Sequence, residues 1–251
     1  DSMTYCYQKL DCFHGGAEHG FELKDYRAYW QKCLPCQRLR WRPDRNRVIA
    51  RMLARDVDRF TTVSHELAAA VRANGIRVDR VIHNAIHLAP TRPAETEVAA
   101  FRARFGLGEK PVIAMGGRLH ELKGVVQLFE MLAILRREFP EIRLLVMGKE
   151  EAWRPFEPAA RARGVHDLVV PTGWLDGADL AAGMAALDVM VSPSTCFETF
   201  GMMALEAMEH AKPVVVSSFG GCPETVSQGR TGFVANPYHV AEYAEAIAVL
   251  L

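Results

Sequence analysis

The feature that most limits the fold is a regular alternation, from residue 59 onward, of short apolar runs with longer amphipathic segments. The runs have the length of buried strands, and the segments repeat apolar residues at helical spacing. Strands that alternate with helices pair in parallel, because each connection crosses a face of the sheet. We therefore predict an α/β fold with parallel sheets covered on both faces. The predicted strands are residues 60–63, 80–83, 112–115, 143–147, 168–170, 189–191, 214–216 and 232–234.

Capping residues indicate where several helices begin and end. Ser64 is predicted to cap a helix that ends at residues 74–75, and Pro93 is predicted to lie in the first turn of another helix. Apolar residues recur at helical spacing between residues 124 and 139, where the pattern stops before a proline. A helix over residues 201–210 completes the set.

A proline-containing stretch at residues 88–93 predicts a boundary between two domains, 1–90 and 91–251. The second domain holds six of the eight predicted strands, which is typical of a doubly wound fold. The first holds two, and we predict that it is the incomplete back part of another such domain. The chain begins without Met and ends inside an apolar, helix-like pattern, so we expect both ends to be cut.

Charge and hydropathy exclude some classes of function and leave others open. Thirty basic and thirty acidic side chains cancel, which argues against a nucleic-acid partner. No apolar run approaches the roughly 20 residues that span a bilayer. Basic residues are concentrated at 24–59, including Arg38, Arg40 and Arg42. This segment is either a solvated helix face or a patch for an anionic acceptor or a membrane surface.

Two glutamates separated by seven residues follow the predicted strand at residues 189–191. Glu198 is predicted to lie on a loop and Glu206 inside the following helix. The backbone amides at the start of that helix, those of Phe200, Gly201 and Met202, would attract an anion. A diphosphate bound there would have one carboxylate on each side for hydroxyl groups, as in a nucleotide sugar. The alternative is that both are ordinary solvated glutamates.

A glycine turn with two cations follows the predicted strand at residues 112–115. Gly117 opens the turn, and Arg118 and Lys123 come directly after it. A planar guanidinium and a mobile ammonium together can neutralise a diphosphate without a metal ion. They would also stabilise a departing diphosphate as its negative charge grows. The alternative is that Arg118 and Lys123 are ordinary surface cations. This is the less favoured interpretation, because positive charge is unfavourable near the start of a helix.

Residues 117–119, 123–124, 193–194, 198, 200–201, 206–207, 213–215 and 220–224 together resemble the retaining glycosyltransferases of family 4 and their E-x7-E motif. The resemblance implies a GT-B fold, with two Rossmann-like doubly wound domains. It also implies transfer of a sugar from a UDP- or GDP-linked donor to a glycan, lipid-linked or small-molecule acceptor. The pathway would be synthesis of cell-surface polysaccharide or glycoconjugates. We expect a cytoplasmic enzyme, with peripheral contact at the inner face of the membrane.

The same resemblance implies a role for each site residue. Glu198 would contact sugar hydroxyls of the donor, and Glu206 would bind the ribose. Glu198, Arg118 and Lys123 would act in catalysis by orienting the donor and stabilising charge, with no obligatory metal ion and no covalent intermediate. The residues expected to enclose the base are Thr172, Gly173 and Trp174.

Four cysteines lie near the start of the chain, at Cys6, Cys12, Cys33 and Cys36. One C-x-x-C pair with two further cysteines suits a structural zinc ion. Reduced thiols and disulfides are the alternatives, and a reducing cytosol favours thiols over disulfides. Some members of the family carry a His-Asp pair followed by Cys, which Asp1 and Cys6 would match.

Other sequence features indicate weaker candidates. Asp56 and Asp58 form a D-x-D pair, but it precedes a strand and so lies at the wrong edge of a sheet for metal-assisted donor binding. A sugar epimerase or phosphorylase on the same scaffold is one alternative function. A nucleotide-sugar binding module without transfer activity is another. The isolated histidines His65, His83, His120 and His166 are predicted to have structural or surface roles.

Overall fold

The structure is a computed structural model, and it describes residue 6 and residues 12–37, 42–88 and 92–251. The helices, in chain order, are α1 (Trp30–Gln37), α2 (Arg45–Asp56), α3 (His65–Arg72), α4 (Glu95–Arg104), α5 (Val125–Leu135), α6 (Glu150–Trp153), α7 (Glu157–Ala162), α8 (Gly177–Ala186), α9 (Met202–Glu209) and α10 (Val240–Ala248). The strands are β1 (Thr61–Thr62), β2 (Arg80–Val81), β3 (Val112–Gly116), β4 (Arg143–Met147), β5 (Val169–Gly173), β6 (Val189–Ser192), β7 (Val214–Ser217) and β8 (Gly232–Ala235). Short 3-10 turns cover Ala17–His19, Glu121–Lys123, Arg154–Phe156, His166–Leu168 and Cys222–Thr225.

The described chain divides into two compact units. The first contains the described residues up to Ala85 together with residues 196–200 and 219–224, and the second contains the rest. These two short segments, which the sequence assigned to the second domain, cluster with the first because hydrogen bonds hold them there. Ser64 donates its hydroxyl to the Thr199 carbonyl oxygen at 2.8 Å, for example.

The second unit is built on one six-stranded sheet in the order β5-β4-β3-β6-β7-β8. Every neighbouring pair of strands is parallel. The chain builds outward from β3 in one direction and then restarts at β6 on its other side. In doubly wound sheets such a reversal opens a crevice at the carboxyl ends of the two strands, where ligands bind. The crevice beyond β3 and β6 is therefore the place to look for a site.

Helices cover both faces of this sheet, as the alternating sequence predicts. On one face, α5 and α10 pack against each other and against alternate strand residues such as Ile113, Met115 and Val215. On the other face, α9 packs on β6 and β7, and α8 contacts both α4 and α9. Strands buried on both faces are apolar at nearly every position, which explains their continuous apolar runs.

The first unit contains a two-stranded parallel sheet in which Thr61 pairs with Arg80 and Thr62 with Val81. Helix α3 follows β1, and the Ser64 hydroxyl accepts the Leu67 amide at 3.1 Å, as predicted for a capping residue. The buried interior is rich in aromatic rings. Phe13, Tyr26, Phe197 and Phe219 pack at centroid distances between 5.1 and 5.9 Å.

All eight predicted strands are confirmed, and the differences lie at the ends of elements. Pro93 lies outside the first turn of α4, because Ala94 is the extended capping residue and Glu97 reaches back to accept its amide at 2.7 Å. The predicted helix at residues 124–139 ends earlier, at Leu135, and continues as hydrogen-bonded turns. Residues 89–91 of the predicted linker lie outside the described residues. No helix in the described ranges has both the length and the apolar character needed to cross a membrane.

Candidate active site

The loop after β3 and the loop after β6 meet at the point where the strand order reverses. Gly124 has φ 72°, and a Cβ atom at this position would overlap the carbonyl oxygen of Pro193. The Thr195 amide donates to the carbonyl oxygen of Leu122 at 2.9 Å. These contacts fix the turn that carries the two predicted cations. Glycine is needed at residue 124 because the backbones approach closely and φ is positive.

Arg118 and Lys123 lie on this turn. Gly117 has φ 94°, and its amide donates to the Met147 carbonyl oxygen at 2.9 Å, which anchors the turn to the end of β4. The Arg118 side chain is exposed, while Lys123 is half-buried and closes a 3-10 turn. Both cations therefore extend from the carboxyl edge of the sheet, where an anionic ligand of this fold is expected.

Helix α9 begins above the end of β3. Gly201 is its capping residue with φ 95°. A Cβ atom on Gly116 would overlap the terminal methyl group of Met203, so the first turn of the helix lies against the last residue of the strand. The Ala204 amide donates to the Gly201 carbonyl oxygen at 3.1 Å. The amides of Met202 and Met203 precede this bond, and amides at the start of a helix create a partial positive charge. This unit therefore presents helix amides and the two loop cations at one edge of its sheet.

Glu206 lies one turn further along α9 and is half-buried. Burial raises the pKa of its carboxyl group above the usual value, and the nearby charge of Glu209 raises it further. The ionised form is therefore less favourable in the folded chain than in water. A carboxylate held under this penalty is well placed to accept hydrogen bonds from a ligand, because these would replace the lost water.

Residues 172–174, predicted to enclose a base, lie at the carboxyl end of β5. The register between β4 and β5 shifts between Val146 and Met147, which produces a bulge at this end. Thr172 donates its hydroxyl to the Gly173 carbonyl oxygen at 2.9 Å, and Gly173 has φ 77°. The Trp174 side chain is 58% exposed. An exposed aromatic ring at a strand's carboxyl end offers a stacking surface for a planar ligand.

Glu198 belongs to the first unit, between the buried rings of Phe197 and Phe200. Its backbone forms a bridge with Gly220, and its carbonyl oxygen accepts the Gly221 amide at 2.7 Å. Gly220 has φ 73°, and a Cβ atom there would overlap the Glu198 carbonyl oxygen. The segment at residues 220–224 therefore positions the backbone of the first glutamate. The glycine pair was part of the sequence pattern, but this bracing role was not predicted.

Ser194 lies at the same sheet edge; it was part of the sequence pattern, but no role was predicted for it. It lies just beyond the carboxyl end of β6 and is 1% exposed. Its hydroxyl oxygen has no hydrogen-bond partner among the residues that the structure describes. Buried polar atoms are almost always paired, so this hydroxyl group is a candidate contact for a ligand at the sheet edge. A serine after a strand is too common to carry this signal in sequence alone.

The four cysteines lie in the first unit. Cys6 and Cys33 are buried, while Cys12 and Cys36 are partly exposed, and none of the cysteines, all of which are in the described ranges, forms a disulfide. Burial raises the pKa of the Cys33 thiol, which favours the neutral form. Zinc binding by this set stays a prediction. Asp1, which the family pattern pairs with Cys6, lies outside the described residues.

The structure brings two of the isolated histidines together. The rings of His65 and His83 lie 5.5 Å apart at 84°, and Nε2 of His83 is 3.2 Å from Oε2 of Glu224. Sequence reasoning missed this cluster because its members lie on three distant segments. Asp56 and Asp58 are both exposed, and they precede β1, so they lie at the amino end of that strand as predicted.

Comparison with known proteins identifies the family to which the six-stranded unit is similar. The sequence profile of the family described as "Glycosyl transferases group 1" matches residues 110–251, which is more than half of the chain. The alpha-D-kanosaminyltransferase of Streptomyces kanamyceticus is 30% identical over 174 residues, which cover 68% of this chain and 45% of that protein. A second relative, from Mycolicibacterium smegmatis, is a GDP-mannose-dependent alpha-(1-6)-phosphatidylinositol monomannoside mannosyltransferase. It is 34% identical over 159 residues, which cover 61% of this chain and 42% of that protein.

A similar solved structure is that of the Anabaena protein HepE in complex with UDP and glucose, with a TM-score of 0.74 and 25% identity. The alignment covers 83% of this chain and 57% of HepE. The chain spans about half the length of the curated relatives it matches. Its strand order and these neighbours identify the GT-B fold. The profile match over the six-stranded unit shows that the chain belongs to the group 1 glycosyl transferases.

Proposed function

We propose that this chain provides the donor site of a retaining glycosyltransferase of family 4, which uses a UDP- or GDP-linked sugar. One observation carries this proposal: Arg118, Lys123 and the first turn of α9 lie at the same edge of the sheet, just beyond β3. Cations and helix amides together suit a diphosphate. Glu206 would accept the ribose hydroxyls, and residues 172–174 would enclose the base.

Glu198 would hold hydroxyls of the transferred sugar and stabilise charge in the transition state. Retention of configuration would proceed on one face of the sugar, with the leaving phosphate helping to deprotonate the acceptor. Arg118 and Lys123 would stabilise the charge that grows on this phosphate, without an obligatory metal ion. This differs from retaining glycosidases, which need a carboxylate nucleophile and a second acid/base carboxyl group.

The acceptor would be a glycan, a lipid-linked sugar or a small molecule, in the synthesis of cell-surface polysaccharide or glycoconjugates. Binding without transfer is the second candidate function. It is favoured by one observation, namely that Arg118, Lys123 and Glu206 all belong to the second unit. Turnover of a bound nucleotide sugar in the presence of acceptor would exclude this second candidate.

We further propose that the enzyme is cytoplasmic and contacts the inner face of the membrane through α2. This helix has no buried residue, and it exposes the apolar side chains of Val48 and Met52. Its arginines are Arg45, Arg47, Arg51 and Arg55. A basic helix with an exposed apolar face suits an anionic lipid surface. Arg38 and Arg40 of the predicted basic segment lie outside the described residues.

We expect the chain to sediment with phosphatidylglycerol-containing vesicles but not with purely phosphatidylcholine vesicles. Charge reversal of Arg47 and Arg51 to Glu should remove most of this binding, since each basic residue near the surface contributes about 1 kcal/mol. Charge reversal of Arg137 and Arg230, two exposed arginines of the second unit, is the matched control. Equal loss in both variants, or equal binding to neutral vesicles, would contradict the proposal.

Calorimetric titration with UDP, GDP and ADP and their sugar conjugates tests the donor site. We expect one nucleotide to bind well, and Glu206→Gln to weaken this binding by about tenfold, because a charged hydrogen-bond acceptor is lost. Glu245→Gln, at an exposed position on α10, is the matched control. If no nucleotide binds, or if Glu206→Gln binds as tightly as the native chain, the proposed donor site is wrong.

The stability of the Glu206→Gln variant provides an independent check. Because the pKa of Glu206 is raised in the folded chain, the folded state holds the carboxyl proton more tightly than the unfolded state does. The contribution of Glu206 to stability therefore falls as pH rises through the range between its unfolded and folded pKa values. At neutral pH the ionised carboxylate is therefore destabilising. Glu206→Gln should unfold at the same or higher urea concentration than the native chain while it binds the nucleotide less tightly.

A further inference from the structure

Three potential metal ligands converge in the first unit, on segments far apart in sequence. His65 is the first residue of α3, His83 follows β2, and Glu224 lies in the 3-10 turn Cys222–Thr225. One ligand atom from each lies within 4.8 Å of the other two. Among the residues that the structure describes, this is the one group of three or more His, Cys, Asp or Glu side chains so arranged.

The carboxylate of Glu224 is held in place by the helix. Oε2 accepts the His65 amide at 2.8 Å, and Oε1 accepts the Glu66 amide at 2.8 Å. A carboxylate has about four lone-pair sites, so each oxygen retains one after these bonds. Fixing a ligand by a second set of hydrogen bonds is how proteins orient the groups that bind a metal ion.

Capping of α3 accounts for the carboxylate but not for both imidazoles. A hydrogen bond from Nε2 of His83 to Oε2 of Glu224, at 3.2 Å, explains one ring. The second ring, that of His65, adds nothing to this bond, yet it lies edge-to-face with His83 at 5.5 Å. His83 also contacts the buried ring of Phe200 at 5.4 Å, which restricts its orientation.

The separations suit a small divalent ion. Ligand atoms about 2.0–2.2 Å from a tetrahedral zinc ion are about 3.3 Å from each other, close to the 3.2 Å between His83 and Glu224. His65 is exposed, so its side chain has room to change rotamer, and its ligand atom already lies within 4.8 Å of the other two. The side chain of His83 is 46% exposed, so solvent can supply the remaining ligand. Two imidazoles with one carboxylate form a known ligand set for zinc.

We propose that His65, His83 and Glu224 bind a divalent transition-metal ion, with zinc as the best match. The ion would join the first turn of α3, the segment after β2 and the loop at residues 220–224. This loop donates the Gly221 amide to the Glu198 carbonyl oxygen, so the ion would brace the backbone that carries the first glutamate. The site is structural, and it is independent of the donor-site proposal.

The test is zinc titration of the metal-stripped chain against a chromogenic chelator. We expect one equivalent of zinc to bind at this cluster, and His65→Gln and His83→Gln each to weaken the binding of that equivalent by about tenfold or more, since each removes a ligand. His239→Gln is the matched control, because Nδ1 of His239 is 3.5 Å from Oε2 of Glu242 and no third ligand from the described part of the chain joins this pair. Glu224→Gln is not decisive, because it also disturbs the capped helix.

Cobalt substitution separates this site from the cysteines. Cobalt bound by two imidazoles and a carboxylate lacks the near-ultraviolet thiolate charge-transfer band, and a Cys33→Ser/Cys36→Ser variant should retain the equivalent that both histidine variants lose. Zinc should also raise the melting temperature of the native chain more than that of His83→Gln. Zinc binding that is unchanged in both histidine variants, lost only in the cysteine variant, or absent from the native chain would overturn the proposal.

Discussion

Replacing Arg118 and Lys123 together by alanine is expected to weaken nucleoside diphosphate binding by at least about a hundredfold, since two charge-assisted contacts are lost. The two side chains extend from a turn whose backbone has positive φ at Gly117 and Gly124 and is held closely against Pro193. In the proposed donor site, which has no obligatory metal ion, they would carry most of the charge that opposes the diphosphate. The measurement is calorimetric titration with the nucleotide that the native chain prefers.

The matched control replaces Lys110 and Arg137 by alanine. These side chains carry the same charges in the same unit, but Lys110 precedes β3 and Arg137 follows α5. The control should bind the nucleotide as the native chain does, and circular dichroism should show that both variants are folded. Equal binding by the double variant at the turn would mean that the diphosphate binds elsewhere, and the donor-site proposal would fail.

The fold could be predicted from the sequence because its strands are buried on both faces. In the six-stranded sheet most runs, such as residues 144–147, are then apolar throughout, and their limits are visible without any knowledge of their partners. Strand order could not be derived in this way. Pairing depends on contacts between segments far apart in sequence, and the reversal between β3 and β6 is a property of the whole sheet.

Part of the candidate site could likewise be predicted from the sequence, and the histidine cluster could not. Glu206 and Arg118 follow strands, and in a parallel sheet this alone predicts that they share the carboxyl edge. His65 and His83 carry no such signal, because the residue that joins them, Glu224, lies on a segment assigned by sequence to the other domain. Its bond to the His65 amide spans 159 residues. Sequence periodicity reports the local environment of a residue, whereas a ligand cluster depends on long-range packing.

The sequence motif around Gly220 acquires a physical reason from the structure. A glycine pair before a proline suggests a turn, but the structure shows what the missing side chain permits. At φ 73°, Gly220 lies in the left-handed region, and the Glu198 carbonyl oxygen occupies the space that a Cβ atom would need. Any side chain here must shift the backbone of Glu198, of Gly220 or of both.

Gly220→Ala is therefore expected to destabilise the chain by about 2–5 kcal/mol, combining about 1–2 kcal/mol for the left-handed backbone with about 1–3 kcal/mol for the overlap. Gly75→Ala separates the two contributions. Gly75 lies in the same unit at φ 75°, but a Cβ atom there meets nothing within 4 Å. Gly75→Ala should lower the free energy of unfolding only by the backbone contribution. Urea denaturation followed by circular dichroism measures this free energy for both variants.

The same substitution also tests how Glu198 acts. If the glutamate holds the sugar, the native chain should bind its nucleotide sugar more tightly than the bare nucleotide. Gly220→Ala should reduce this difference without changing nucleotide affinity, because Arg118, Lys123 and Glu206 lie in the second unit. Gly75→Ala should preserve it. If a destabilised Gly220→Ala variant keeps the native preference for the nucleotide sugar, the backbone strain at residue 220 has no effect on sugar binding. Loop geometry at Gly220 would then serve stability alone.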